Sequence, residues 1–585
     1  MLARRLHIAL AAATLLAAVS SCSGPSEPLT PPHLEFSAPE LDLGTLHEGQ
    51  IDIRNTGGQA VGPVEFVVTL IRDANGATVP GSQVVTDPTE LPTLNPGDAR
   101  TLGVSLSVSG SLLPGEYAAA ITARGGSETS AQTAVRFLVL SDAEAGVASI
   151  DILSGQTEAR MGDVVALPVE VRGADGSVLQ GVPVSWSLDP PAAGYVGSSG
   201  QFVAYDSGVA TLVARAGLAS DTIRLEVRER GLEGSFSLVG RAEESERYTS
   251  DLWLHGTVAY VGTWGGRPVG AAINRGNTLN VWDISDPTAA EKVFSMEIDA
   301  RTVNDVKIRA DGTLAIITHE GSSDGGNGIT LLDLANPMEP TVISRFTEEL
   351  ESGVHNVWID GDYAYVAVDG AGSGLRILDI SDPAVPSVVG RYWAGSSSLH
   401  DVYVRDGLAF LSHWNAGLVI LDVGNGIVGG TPEAPIEVSR LADLGGQTHN
   451  AWYWPEGGYV FVGEEDFGTP GVMHVVDLRN VREPLEVATY SVEGQTPHNF
   501  WLDEATGTLY LAWYAQGVRA LDVTGDLLGE LDRQGREIQG LRYSGGFGSC
   551  NRPSQDTCAW APQLHNGLLW VSDMNRGLVA LQPPR

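Results

Sequence analysis

Basic side chains are scarce in this sequence. Its 585 residues carry 35 Lys and Arg against 72 Asp and Glu, a formal net charge of −37. Nucleic-acid binding draws on Lys and Arg that face phosphates and release counterions, so the shortage excludes that partner and argues against docking on an anionic membrane surface. Plain solubility accounts for the acidity itself. Cysteine is nearly absent, with three residues in all. Phosphate-binding loops and dinucleotide fingerprints in a strand–helix–strand setting are absent too. The string Gly321-Ser322-Ser323-Asp324-Gly325 has the spacing of a hydrolase nucleophile elbow. That elbow must join a strand to a helix, and here it falls in a Gly-rich loop between strands.

What is plentiful is glycine, 71 residues, together with 31 prolines and 43% hydrophobic residues. Many turns in a chain with ample core material point to an all-β globular protein of two to four domains. Residues 1–21 stand apart. Arg4 and Arg5 precede an Ala-rich apolar run too short for a stop-transfer helix. The run ends in Val19-Ser20-Ser21-Cys22, which resembles a bacterial lipobox. The resemblance implies an exported protein, cleaved before Cys22 and held to the bacterial envelope through lipid on that residue. Ser23, in place of Asp, hints at the outer membrane or cell surface. The Pro- and Ser-rich stretch 22–33 suits a flexible tether. In an exported protein the remaining pair, Cys550 and Cys558, reads as a disulfide closing a small loop, because a metal site needs more ligands than that segment supplies.

Two stretches of short alternating runs follow, 34–141 and 145–230. Turn signals such as Asn55-Thr56-Gly57-Gly58 divide the first, as in an Ig-like β-sandwich. The second contains Val184-Ser185-Trp186-Ser187 and Gly208-Val209-Ala210-Thr211-Leu212. It resembles the group 2 bacterial Ig-like domain, a family of cell-surface spacers and adhesive modules.

From 235 to 585 the chain repeats itself. His355, His400, His449 and His498 head strand-like runs and recur 45, 49 and 49 residues apart, a period of propellers and solenoids. Third strands read "VWDISDP", "LLDLANP", "RILDISDP" and "VILDVGNG". This resembles the LVIVD-repeat propellers of exported bacterial proteins. Asp283, Asp333, Asp379, Asp422, Asp477 and Asp522 end these strands and are expected to accept backbone N–H groups of the next turn. Counting strand heads gives seven blades: Ser250-Asp251, Asn304-Asp305, the four histidines with Asn356, Asp401, Asn450 and Asn499, then Trp560. The last unit lacks a fourth strand, and "FSLVGRAEE", residues 236–244, is the orphan that should complete it and close the ring.

Strand heads and second-strand exits lie at one mouth of a propeller. The candidate ligand face is therefore His355, His400, His449, His498 and Trp560, with Asp305, Asp401, Trp513 and Asp573. Two uses compete. In WD-repeat blades a His at this place braces its own blade by a hydrogen bond. Alternatively, neighbouring blades pool ligands for copper or zinc, and His400, His413, His449 and Glu464 form the candidate set. The loops "SSDGGNG" and "DGAGSG" suggest calcium but lack the alternating carboxylates of an EF-hand loop. The expected function is an exported, lipid-anchored surface or periplasmic protein that binds a protein, glycan or small ligand at the His-lined face. The alternative is a metal-dependent enzyme using the same face.

Overall fold

The computed structural model describes residues 30–584, apart from 80–81, 109–111, 127–128, 371–372, 396, 443, 467–469, 544–549 and 551–555. The expected signal segment and Cys22 lie outside the described residues. The chain divides into two compact units, the first built mainly from residues up to Ser149 and the second from most of the remainder.

In the first unit, four strands (Leu34–Phe36, Glu48–Asn55, Ala99–Val108, Ser82–Asp87) form one sheet, and a second sheet is centred on Gly115–Gly125 and Thr129–Val139. Alternation does the work here. Along Gly115–Gly125, Tyr117, Ala119, Ile121 and Ala123 point into the core, while Glu116, Ala118 and Arg124 face water. The buried set joins both sheets through Ile53, Leu102, Val135 and Phe137.

The second unit begins with another pair of small sheets, which pack Val165, Leu167, Phe202, Leu212 and Leu225 between them. Among the described residues, seven sheets of at least four strands follow, antiparallel except where Gly529–Glu530 adds parallel to the edge of the fifth. Their first strands are Tyr248–His255, Val306–Ile308, Val354–Asp360, Asp401–Arg405, Thr448–Trp454, Phe500–Asp503 and Ala559–His565. Each neighbours the next, and the last neighbours the first, so the circuit is closed around a central channel. This is a β-propeller.

Hydrophobic clusters fill the spaces between consecutive sheets. Phe410 and Ile420 of the fourth sheet meet Val460 and Val462 of the fifth, and Phe461 and Val475 of the fifth meet Leu509 and Leu511 of the sixth. Second and third strands are thus buried on both faces, which is why they read as continuous apolar runs where the strands of the first unit alternate.

The closure expected from the sequence is present. Ser237–Glu243 pairs antiparallel with Gly577–Gln582 and supplies the outer strand of the seventh sheet, with Leu578, Val579 and Leu581 buried beneath it. The glycine shared by "LVGR" and "VVGR" has a steric cause. A Cβ on Gly240 would stand 2.0 Å from the Pro287 carbonyl oxygen, and one on Gly390 2.0 Å from that of Pro432. All six strand-ending aspartates accept a backbone N–H two residues on, at 2.8–3.1 Å, for example Ser285 to Asp283 and Ser381 to Asp379.

One of these turns has a second task. The Arg230 guanidinium, its side chain 1% exposed, pairs with Asp522 at 2.6 Å and with Asp163 at 2.9 Å. It ties the preceding small β domain to the sixth sheet.

Candidate functional site

A β-bulge stands at the head of several first strands. The pairing register slips at His355, His449 and Trp560, so each is an extra residue outside the ladder and its side chain is re-aimed. The result is a contiguous arc of rings at one mouth of the channel. Centroids are 4.3 Å apart for His355–His400, 4.4 Å for His400–His449, 4.3 Å for His449–His498 and 4.0 Å for His498–Trp560. At these strand heads the first two sheets carry Ser250 and Asn304 in place of a ring. Trp264 reaches over that gap and closes the arc, 5.5 Å from Trp560 and 6.1 Å from His355.

Hydrogen bonds fix the tautomers. His400 Nδ1 lies 3.2 Å from the His449 carbonyl oxygen, and His498 Nδ1 lies 2.8 Å from that of Trp560. A carbonyl only accepts, so both Nδ1 atoms carry hydrogen and the neutral rings keep their lone pairs on Nε2. For these two residues the brace runs to the next sheet and not within the blade. Burial, reinforced by neighbouring imidazoles, holds His400, His449 and His498 well below the usual histidine range. His355 differs. Burial alone would depress it, but its 2.8 Å bond to the Glu320 carboxylate carries its pKa up to about 9.

Carboxylates surround this arc. One donor atom each from His400, His449 and Glu465 lies within 4.8 Å of the others, and Glu320, His355 and Asp369 form a second such group. Glu465 stands 3.8 Å from His449 Nε2 and accepts the Tyr514 hydroxyl. Trp414 stacks on His400 at 4.5 Å.

Several expected members lie elsewhere. His413 is buried within the fourth sheet and joins neither donor group; Tyr392 is its aromatic neighbour, at 6.5 Å. Glu464 turns into the fifth sheet, 3.2 Å from His474 Nε2. Trp513 is fully buried in the cluster between the fifth and sixth sheets. Asp573 is also buried, accepting Cys558 N–H and the Tyr543 hydroxyl at 2.7 and 2.8 Å. The cause is strand alternation. In the second to fifth sheets the last residue of the second strand points between sheets, and the next one, Glu320, Asp369, Trp414 or Glu465, points to the mouth; in the sixth, Trp513 is buried and Tyr514 reaches His498. Counting by two from the core positions would have separated the pairs.

Asp305 and Asp401 lie one layer deeper than the imidazoles, with Asp251. Lys307 stands among them, bonded to Asp305 and 3.4 Å from Asp251. Two residues further on, the channel is walled by Trp253, Trp358, Tyr403, Trp452 and Trp501. Their centroids form a closed pentagon with sides of 5.9, 4.6, 5.1, 5.1 and 6.1 Å. These aromatics escaped the sequence reading although they share the period of the histidines, three residues on, in "HNVW", "HDVY", "HNAW" and "HNFW".

The disulfide Cys550–Cys558 is formed. Cys558 packs with Tyr514 and Trp560, beside the histidine mouth.

Two segments, 353–393 and 396–440, match the LVIVD repeat. They are the third and fourth sheets with their strand heads. None of the curated proteins matches the chain. Among solved structures, the β-propeller domain of Myceliophteria thermophila Cps50 (Swd1) is 9% identical with a TM-score of 0.42, and the computationally designed Ika8 protein is 10% identical with a TM-score of 0.38. Each match covers 59% of this chain and 99% of the other. Both scores are too low to bear on function.

Proposed function

We propose that this chain is an exported, lipid-anchored binding protein in which two Ig-like domains act as spacers for a seven-bladed LVIVD propeller, and that the histidine mouth of the propeller captures a zinc or copper ion. One observation carries the choice of ligand. His400 and His498 hold their Nδ1 hydrogens on backbone carbonyls, so neutral imidazoles offer Nε2 lone pairs beside the Glu465 carboxylate. Rings 4.0–4.4 Å apart are in van der Waals contact, which leaves no space in that layer for a sugar or a peptide. An ion fits. His400, His449 and Glu465 would be its ligands, and at Zn–N distances of about 2.0–2.1 Å they would draw together to roughly 3.3 Å from one another.

The test is elemental analysis and zinc or copper titration of protein purified without a histidine tag. About one ion per chain is expected, lost in His400→Ala and His449→Ala variants that keep the parent's melting temperature. A metal-free parent that also fails to bind added ion refutes the reading. In the cell, Cys22→Ser should release the protein from the membrane fraction, and unchanged retention would refute lipidation at that residue.

A metal-dependent enzyme at the same mouth is the second reading. Three protein donors favour it, because catalytic zinc sites keep a coordination position open. Turnover abolished by chelation and restored by the ion would select it.

A further inference from the structure

The pentagon of aromatic rings deeper in the channel is independent of the histidine mouth and has a size of its own. For a flat pentagon with sides of 4.6–6.1 Å, the centre lies roughly 4.5 Å from every ring centroid, inside the cation–π range of about 6 Å. Carbon atoms touch at about 3.5–4.0 Å, so the plane of the rings admits one methyl of a tetrahedral head, whose charge then remains within that range, and excludes a pyranose ring. Trp253, Trp358, Trp452 and Trp501 are half-buried, so the opening is reachable from solvent.

The floor beneath the rings is acidic. Asp251, Asp305 and Asp401 face one ammonium, that of Lys307, which is bonded to Asp305, lies 3.4 Å from Asp251, and stands 5.3 Å over the Trp253 ring. The protein thus already places one alkylammonium against this wall. No described cation lies within ion-pair distance of Asp401, and burial without such a partner pushes its carboxyl up to about 8. The nearby Arg405 is neutralised by Glu504 and does not supply one.

We propose that this cage binds a quaternary ammonium group, the head of choline or of a phosphatidylcholine lipid, with the cation among the five rings and Asp401 as its counter-ion. The positive methyl surface meets the negative ring faces, and the carboxylate gains the charge that it lacks.

The experiment titrates the full chain in detergent with choline chloride, following tryptophan fluorescence and heat. In parallel, the titrant is 3,3-dimethylbutan-1-ol, which has the same shape and no charge. Saturable binding of choline is expected, with the alcohol at least about tenfold weaker. Asp401→Asn should weaken choline about tenfold, and Trp358→Leu or Trp452→Leu should abolish binding. Each variant is checked for the parent's melting temperature, and Trp358→Phe serves where the leucine variant does not fold. No saturable response to choline, or equal affinity for the neutral alcohol, overturns the proposal. Sedimentation with phosphatidylcholine vesicles, against phosphatidylglycerol vesicles, assigns the source. Selective retention on phosphatidylcholine identifies a lipid head, and binding of free choline alone identifies a small molecule.

Discussion

The two ends of the channel are built from the same first strands, three residues apart, and they solve opposite electrostatic problems. At the histidine mouth, His400, His449 and His498 are neutral rings in contact, two of them donating to carbonyls of the next sheet, and the one charged imidazole, His355, is paired with Glu320. At the aromatic end, three carboxylates surround one ammonium that stands over the Trp253 ring. The second sheet departs from both layers at once, with Asn304 where a histidine would stand and Lys307 where an aromatic would stand. A repeat of this kind keeps its sheets uniform for packing and varies the inner strand one layer at a time.

Removing what both ends share should have the largest effect. Deleting residues 236–244 strips the outer strand from the seventh sheet and uncovers Leu578, Val579 and Leu581. Metal and choline binding should vanish together, with insoluble protein or a drop in melting temperature of ten degrees or more. A deletion variant as stable as the parent would contradict the closure. Lys307→Met should separate the ends. It leaves Asp305 and Asp251 buried without their cation, a loss of about 3–5 kcal/mol, while the histidine mouth keeps its zinc in whatever protein remains folded. An unchanged melting temperature would show that the ammonium does not hold the floor together.

A smaller effect should appear as a pH dependence confined to the aromatic end. Burial lifts Asp401 from an ordinary 3.8 to about 8, opposed by Lys307 and reinforced by Asp305 and Asp251. The folded chain therefore keeps a proton that the unfolded chain gives up, and stability falls as pH rises from about 4 to about 8. Asp401→Asn should flatten that slope and raise the melting temperature at pH 8 by a few degrees. A slope identical to the parent's would show that Asp401 titrates normally. Least disruptive is Cys550→Ser with Cys558→Ser. Closing so short a loop contributes about 2–3 kcal/mol at most, set against seven inter-sheet cores. The ring should stay folded, and only the histidine mouth should bind more weakly, through Trp560 on His498. Global unfolding of this pair, or weakened choline binding with the histidine mouth intact, would reverse the assignment.

Much of this architecture was legible because it repeats. The period of His355, His400, His449 and His498 located the inner strands, and the strand-ending aspartates located the turns. "FSLVGRAEE" betrayed the closing strand by its likeness to "PSVVGRYWA". What escaped depends on the direction of a side chain. His413 and Trp414 are adjacent in sequence and sit on opposite sides of a strand, one in the core and one on the His400 ring. The five channel aromatics have the composition of any buried strand, and nothing local shows that they face one another across a hole. Lys307 reads as an ordinary surface lysine until the ring closes around it.

The seventh sheet sets an order on how this molecule comes into being. Ser237–Glu243 leaves the ribosome while its partner Gly577–Gln582 is still to be made, and at about 5–20 residues per second the wait lasts tens of seconds. Through that interval the strand is a bare edge, with a row of unpaired donors and acceptors open to any neighbouring chain. Whatever shields it must let go only when the final strands arrive. A chain cut short before them leaves Ser237–Glu243 unpaired along both of its edges, where the finished ring pairs one of them with Gly577–Gln582.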